Sequence, residues 1–459
     1  MKLINPHSPH SYSHHYSALV SLGVPIVIGQ IGSIVQGLAD TVMMGQYSAH
    51  SLAAASFVNS LMMLILVAGM GYSYGSTPVV GAFHARGEYF QAGRTLRSSL
   101  YINTRASLLL TGFMGALYFF LDYMDQPEHL LPEMRIYYLT ILFSIPLQMM
   151  FNAFKQFADG VGDTRTPMWI LLAANVQNII GNWLFIYGVG PMPELGILGA
   201  GLSTLTSRLF MLTAIILVIT RSKRFAVYRE GFFCRKENAE QRAELHRLGM
   251  PIALQMGMEA ASFSLCAVMQ GWLGEAQLAA HQIMCNVGSV CFLVYYGIGA
   301  AVAIRISHFQ GVDDWANVRR SALAGCRLIM MAGIVIAGAI VAGRHSIGTF
   351  FTHDEEVNRI VLSLMLPFVL YQFGDALQTN FANSLRGIAD VKPMMRYAFI
   401  SYIIVSLPLS YILGFPCSLG AVGIWMAFPV ALTLAGTLYC RRFIQQTGLH
   451  IRAQENLPA

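Results

Sequence analysis

Three carboxylates occupy stretches where an unpaired charge is costly. Glu259 is the single ionisable residue in PIALQMGMEAASFSLCAVM (251–269), Asp40 lies in GQIGSIVQGLADTVMMG, and Asp375 lies in LMLPFVLYQFGDALQTNFANSL. A charge at mid-bilayer costs about 2.5–3.5 kcal/mol on insertion scales, and removal from water favours the neutral form of a carboxyl group. Such acids persist when they face a polar cavity or take up a cation. Each has a hydrogen-bonding residue four positions earlier, on the same helix face: Gln36 before Asp40, Gln255 before Glu259 and Tyr371 before Asp375. The chemistry these residues suit is reversible uptake of a proton or a small metal cation. The bland alternative is that the acids hold helices together by hydrogen bonds. Against it, no intramembrane Lys or Arg offers an obvious partner: Arg208 is central in the sixth span and Arg105 lies nearer an end. Asp40 sits toward the outer end of its span.

A second polar set lies in AANVQNIIGNWLFIYG, where Asn175, Asn178 and Asn182 interrupt an apolar run. Asn178 and Asn182 share a face at i, i+4. With Gln36 and Gln255 they form a candidate polar or substrate pathway. Weaker features read as structure: GYSYG at 71 has the GxxxG spacing of close helix contact, and His281 in LAAHQI reads as a polar cap at a helix start. Pro25 and Pro251 read as helix openers, whereas Pro367, Pro408 and Pro429 sit deeper and read as kinks.

The elements that position these residues follow from composition. The chain has 459 residues, 55% hydrophobic and 11% charged, with mean hydropathy +0.54. Soluble domains carry about a quarter charged residues, so this is an all-α integral membrane protein. Apolar runs of about 20 residues, each able to cross the hydrocarbon, predict about twelve spans. Loops alternate in charge: one set carries Arg86, Arg94, Arg97, Lys155, Arg165, Arg305, Arg319, Arg320, Arg386, Lys392 and Arg396, and the other carries Asp122, Asp125, Glu128, Glu194, Glu275, Asp354, Glu355 and Glu356. Basic loops stay in the cytoplasm, which places both termini there. The opening MKLINPHSPHSYSHHYS, with four histidines and no apolar core, reads as a solvated arm rather than a cleavable signal or a metal site. The seven cysteines are scattered and suggest neither a disulfide framework nor a metal site.

The chain is also a repeat. LGVPIVIG at 22 matches LGMPIALQ at 248, and at the same offset of 226 Gly45 matches Gly271, Leu52-Ala53-Ala54 matches Leu278-Ala279-Ala280, and Pro167 matches Pro393. GDTRTPM resembles ADVKPMM with a one-residue gap. The expected organisation is a polar arm (1–16), a six-helix lobe (17–220), a basic linker (221–247), a second six-helix lobe (248–442) and a tail (443–459). Six spans separate the copies, so both halves cross in the same direction, a parallel repeat of the kind found in transporters that rock one half against the other. The acids are not repeat-related: Asp40 corresponds to Cys266, Glu259 to Ser33 and Asp375 to Met149.

GLADTVMMG followed by SLAAASF, then LAAHQI and YQFGDALQ…LRGIADVKP, resemble the multidrug and toxic compound extrusion (MATE) family, in its NorM-like bacterial branch. The resemblance runs from about residue 17 to 442. It implies twelve helices in two lobes around a central cavity and export of mostly cationic, amphipathic organic compounds, driven by inward Na⁺ or H⁺. It further implies that Glu259 and Asp375, with Tyr371 beside them, form a cation site suited to Na⁺, and that Asp40 is the first-helix acid. In the proton-coupled DinF-like branch that acid pairs with an Asp on the fifth helix; here Asn182 stands at that place. The expected partners are organic cations and the bilayer of a bacterial inner membrane, with no nucleic acid, no cofactor beyond the coupling ion, and a monomeric state.

The resulting expectation is antiport by competition for negative charge: a cation neutralises the acids outside, releases the drug, and leaves inside. The alternative is a lipid-linked oligosaccharide flippase, which this acidic set disfavours because such substrates are anionic. An intramembrane enzyme is disfavoured because no HExxH occurs and no Ser/His or Asp/Asp constellation stands out, and ATP-driven pumping because GxxxxGK[ST] is absent.

Overall fold

The computed structural model describes residues 11–124, 127–190, 192–234, 236 and 238–455. Helices and short connections account for all of them, and no strand occurs among the described residues. The twelve principal helices are α1 (Tyr12–Tyr47), α2 (Ala49–Ala85, broken near Tyr74), α3 (Tyr89–Tyr118), α4 (Leu131–Gly160), α5 (Arg165–Tyr187), α6 (Gly196–Arg221), α7 (Ala239–Leu273), α8 (Glu275–Gly311), α9 (Trp315–Phe351), α10 (Met365–Gly387), α11 (Val391–Gly414) and α12 (Gly420–Glu455). Ten described helices are individually long and apolar enough to cross a membrane, and α10, joined to the short helix Glu355–Ser363 through a 47° bend, makes eleven. The remaining expected span is α3. Its 30 residues give ample length, but Arg94, Arg97 and Arg105 dilute its apolar character.

Local chemistry sets the helix ends in both halves alike. Asp163, just before α5, accepts from the Thr166 amide at 3.3 Å and hydroxyl at 2.7 Å, and pairs with Arg224 at 3.1 Å. Asp390, just before α11, pairs with Arg442 at 2.6 Å. Pro167 and Pro393 are each the third residue of their helix, where a missing amide is tolerated.

The chain forms two compact units. One is Ile28–Ala253; the other joins the chain before Ile28 to the chain from Leu254 onward. The boundaries therefore fall inside α1 and α7, just past Pro25 and Pro251, rather than in the 221–247 segment. Neither proline opens its helix. Both are internal, whereas Pro367 lies in the first turn of α10.

Within Ile28–Ala253, the described residues of the 221–247 linker include short helices packed against α2 and α3. Lys223–Tyr228 and Arg229–Phe233 form short helices, and Tyr228 bonds His84 of α2 at 2.7 Å. The start of α7 docks in the same unit: Gln241 donates to Thr95 Oγ1, and Tyr72 bonds His246 at 2.8 Å. GYSYG serves a close approach as expected, since a Cβ on Gly75 would lie 2.6 Å from the Gly249 nitrogen.

The other unit repeats this docking with α1. Residues 12–16, expected in a solvated arm, are the first turns of α1, and His15 is fully buried, with Asn317 at 3.3 Å and Ser321 at 3.0 Å. At the 226 offset His15 corresponds to Gln241 and Ser321 to Thr95, so one docking contact occurs in both halves. His7 and His10 lie outside the described residues. At the other end, α12 carries the expected tail as helix to Glu455.

Candidate functional site

In the unit holding most of the second half, α7 and α10 present both expected acids to one polar network. Asp375 is 2% exposed, and its Oδ2 has no hydrogen-bond partner. Its Oδ1 lies 3.3 Å from the Thr379 hydroxyl, one turn on. That hydroxyl is also 3.2 Å from Gln378 Oε1, so its one proton serves one acceptor at a time. Gln378 Nε2 reaches Glu259 Oε2 at 3.4 Å, and Gln255 Nε2 donates to the same oxygen at 2.8 Å. Glu259 and Asp375 thus stand on either side of Gln378 and Thr379 of α10, whose shared proton bonds one side at a time.

Arg386, expected in a loop, is instead a buried residue in the last turn of α10. It donates to Gln255 Oε1 at 2.7 Å and Asn383 Oδ1 at 3.4 Å, and its charge acts on Glu259. A basic partner for the network therefore exists, which the expectation of none missed. Arg305, also expected in a loop, is buried in α8 with its guanidinium over Phe309. Lys155 is buried in α4, paired with Asp159 at 2.7 Å, an acid the sequence reading had not singled out.

Tyr371 lies one turn before Asp375, buried among Phe263, Phe368, Trp425 and Phe428. Its hydroxyl stands beside the Asp375 carboxylate. Tyr402 approaches Glu259 from α11, outside hydrogen-bonding geometry. It is carried by a π-helical stretch, Phe399–Ser406, a geometry that is rare and frequent at functional sites. His281 is no cap: it is the seventh residue of α8, buried, with its Nε2 3.4 Å from Cys285 Sγ and its ring against Trp425.

The first-half unit holds the other acid. Asp40 is partly buried; Asn182 Nδ2 bonds its Oδ1, and Gln36 Nε2 lies 3.5 Å from its Oδ2. The expected i, i+4 pairing thus holds for Gln36 and Gln255. Along α5, Asn175, Asn178 and Asn182 are all buried; Asn178 lacks a partner at both amide atoms and Asn175 at Nδ2. Buried amides without partners cost about 1–3 kcal/mol each, so they mark a face suited to a polar ligand. Arg208, on α6, donates to Ser144 at 2.6 Å.

Gln378, Thr379 and Asn383 were missed as site residues. Their signal was present: Asp375, Gln378, Thr379 and Asn383 form an i, i+3, i+4, i+8 polar stripe on a helix that also carries Asn380 and Ser384.

The family model for MatE matches residues 25–184 and 251–412, two stretches whose starts are 226 residues apart, in register with the internal repeat. The chain belongs to the MATE family. Multidrug resistance protein NorM of Vibrio cholerae is 30% identical over 438 residues, covering 94% of this chain and 96% of the relative. Multidrug resistance protein PmpM of Pseudomonas aeruginosa is 28% identical, covering 96% and 93%. Among solved structures, a MOP superfamily transporter from Pyrococcus furiosus superposes with a TM-score of 0.85 at 17% identity over 95% of this chain and 96% of the other. A Vibrio cholerae MATE transporter, VcmN, gives 0.85 at 16% identity over 96% and 99%. The all-helical, two-repeat, twelve-helix reading is the MATE fold, and this chain is a multi-pass membrane protein of a transporter family.

Proposed function

We propose that this MATE protein is a secondary active multidrug exporter, carrying amphipathic organic cations out of the cell against inward Na⁺ or H⁺, from a bacterial inner membrane with both termini in the cytoplasm. The names of its NorM and PmpM relatives, both multidrug resistance proteins, support multidrug export. The observation that supports the coupling is the buried Asp375 oxygen without a partner, with Thr379 and Gln378 between it and Glu259. A lone carboxylate oxygen held out of water gains most by receiving a cation. A proton satisfies it as a hydroxyl; Na⁺ satisfies it with Glu259 and the Tyr371 hydroxyl as further oxygen ligands.

Coupling then follows from linkage: a cation bound from outside lowers the affinity for a cationic drug, and its release inside restores it. Asp40, Gln36, Asn178 and Asn182 line a polar face suited to the substrate. The test is the purified full chain in liposomes, with Na⁺ and pH gradients imposed separately and export of a fluorescent organic cation followed. A gradient of one ion should drive export, and Asp375→Asn should abolish it. Equal export without any ion gradient would overturn the reading.

A further inference from the structure

One basic cluster is not used by the transport reading. Along α3, Arg94, Arg97, Tyr101, Arg105 and Leu108 follow one another at spacings of three and four, so they form a single stripe. The opening turns of α7 bring Arg242 to the same place: the guanidinium carbons of Arg105 and Arg242 each lie 4.4 Å from the Tyr101 ring centroid. Arg94, Arg97, Ser98, Tyr101, Lys236 and Arg242 line one pocket, and none of its described lining residues is acidic.

Two features identify what such a pocket takes. Several cations around an aromatic ring suit an oxyanion, because arginine forks match phosphate and carboxylate oxygens. The stripe also changes character within one turn: Leu108 is 60% exposed and Leu109 76% exposed, immediately beyond Arg105. A basic pocket adjoining an exposed apolar helix face fits a molecule with an anionic head and acyl chains. A free phosphate has no use for the apolar part.

We propose that this pocket binds the headgroup phosphate of an anionic phospholipid, with its chains lying along α3 beyond Arg105. The arginines then have a role besides setting orientation, since basic pockets between helices take up such headgroups.

Native mass spectrometry of the full chain with dioleoyl phosphatidylglycerol or dioleoyl phosphatidylcholine tests this. The wild type should retain phosphatidylglycerol in preference to phosphatidylcholine. Each arginine near an anionic surface contributes about fivefold, so Arg97→Ala with Arg242→Ala should reduce retention roughly 20-fold. Arg97→Lys should keep most of it, and Lys392→Ala with Arg396→Ala, exposed basic residues elsewhere, should change nothing. Excess inorganic phosphate should leave the lipid bound; full displacement would show a free-phosphate site and overturn the assignment. Equal retention of the two lipids, or unchanged retention in a double variant that melts like the wild type, would also overturn it.

Discussion

The two acid sites of this MATE protein differ in what each leaves unpaired. Around Asp40 both carboxylate oxygens meet amide donors, from Asn182 and Gln36, and the groups without partners include amide atoms of Asn175, Asn178 and Asn182. Around Asp375 the groups without partners include a carboxylate oxygen, beside the amide atoms Gln372 Nε2 and Asn380 Oδ1 of the same helix. An orphaned amide is dipolar and accepts or donates to a neutral or weakly polar ligand. An orphaned carboxylate draws a positive ion. The repeat supplies both halves with the same scaffold and then distributes unlike chemistry over it, which under the proposed function would separate a coupling ion from its cargo.

The comparison breaks most directly at the second-half acids. Asp375→Asn or Glu259→Gln should lower gradient-driven export at least 100-fold in liposomes, with unchanged membrane insertion, whereas Asp40→Asn should lower it less than tenfold. Equal losses in the two units would erase the distinction. Next, Arg386→Ala leaves Gln255 Oε1 without its charged donor. Losing a charge-assisted bond costs about 1.5–3 kcal/mol, read as a lower melting temperature, and the network around Glu259 should loosen enough to cut export about tenfold.

Gly299→Ala sharpens the comparison from the α8 side. Its Cβ would fall 2.7 Å from Asn383 Nδ2 and 3.1 Å from Thr379 Cγ2, an overpacking worth about 1–3 kcal/mol that presses on the Asp375 side alone. Thermal melts should show it, together with a several-fold loss of export. Smallest is Tyr371→Phe. A hydroxyl that helps to hold Na⁺ gives a two- to fivefold weaker Na⁺ dependence with little change in stability. No change in ion dependence would remove Tyr371 from the cation site.

Much of this was legible in the chain. Apolar runs of about 20 residues give the helices without further information, and a 226-residue register gives the repeat. The three acids stood out because charge in apolar sequence is rare. Harder to see were Arg386 and Arg305, because the positive-inside pattern does not distinguish a helix's last two turns from the loop after it. His15 was hidden for a related reason: a polar opening sequence resembles an arm until a buried partner such as Ser321 on a distant helix is known. The unit boundaries inside α1 and α7 were invisible, since composition does not change across Pro25 or Pro251.

The π-helical stretch of α11 has a consequence for how that helix tolerates change in length. A π turn carries one residue more than an α turn requires, so deleting Ile404 would let Phe399–Ser406 relax to ordinary α geometry. Because the turn would shed only its surplus residue, the α-helical ends on either side would keep their rotational phase. Ser406 and Ser410 would keep their seats opposite Ser262 and Cys266, and Tyr397 would stay against Tyr439. The change would fall on the stretch itself, which carries Tyr402. The surplus residue thus confines a change in chain length to one turn of α11.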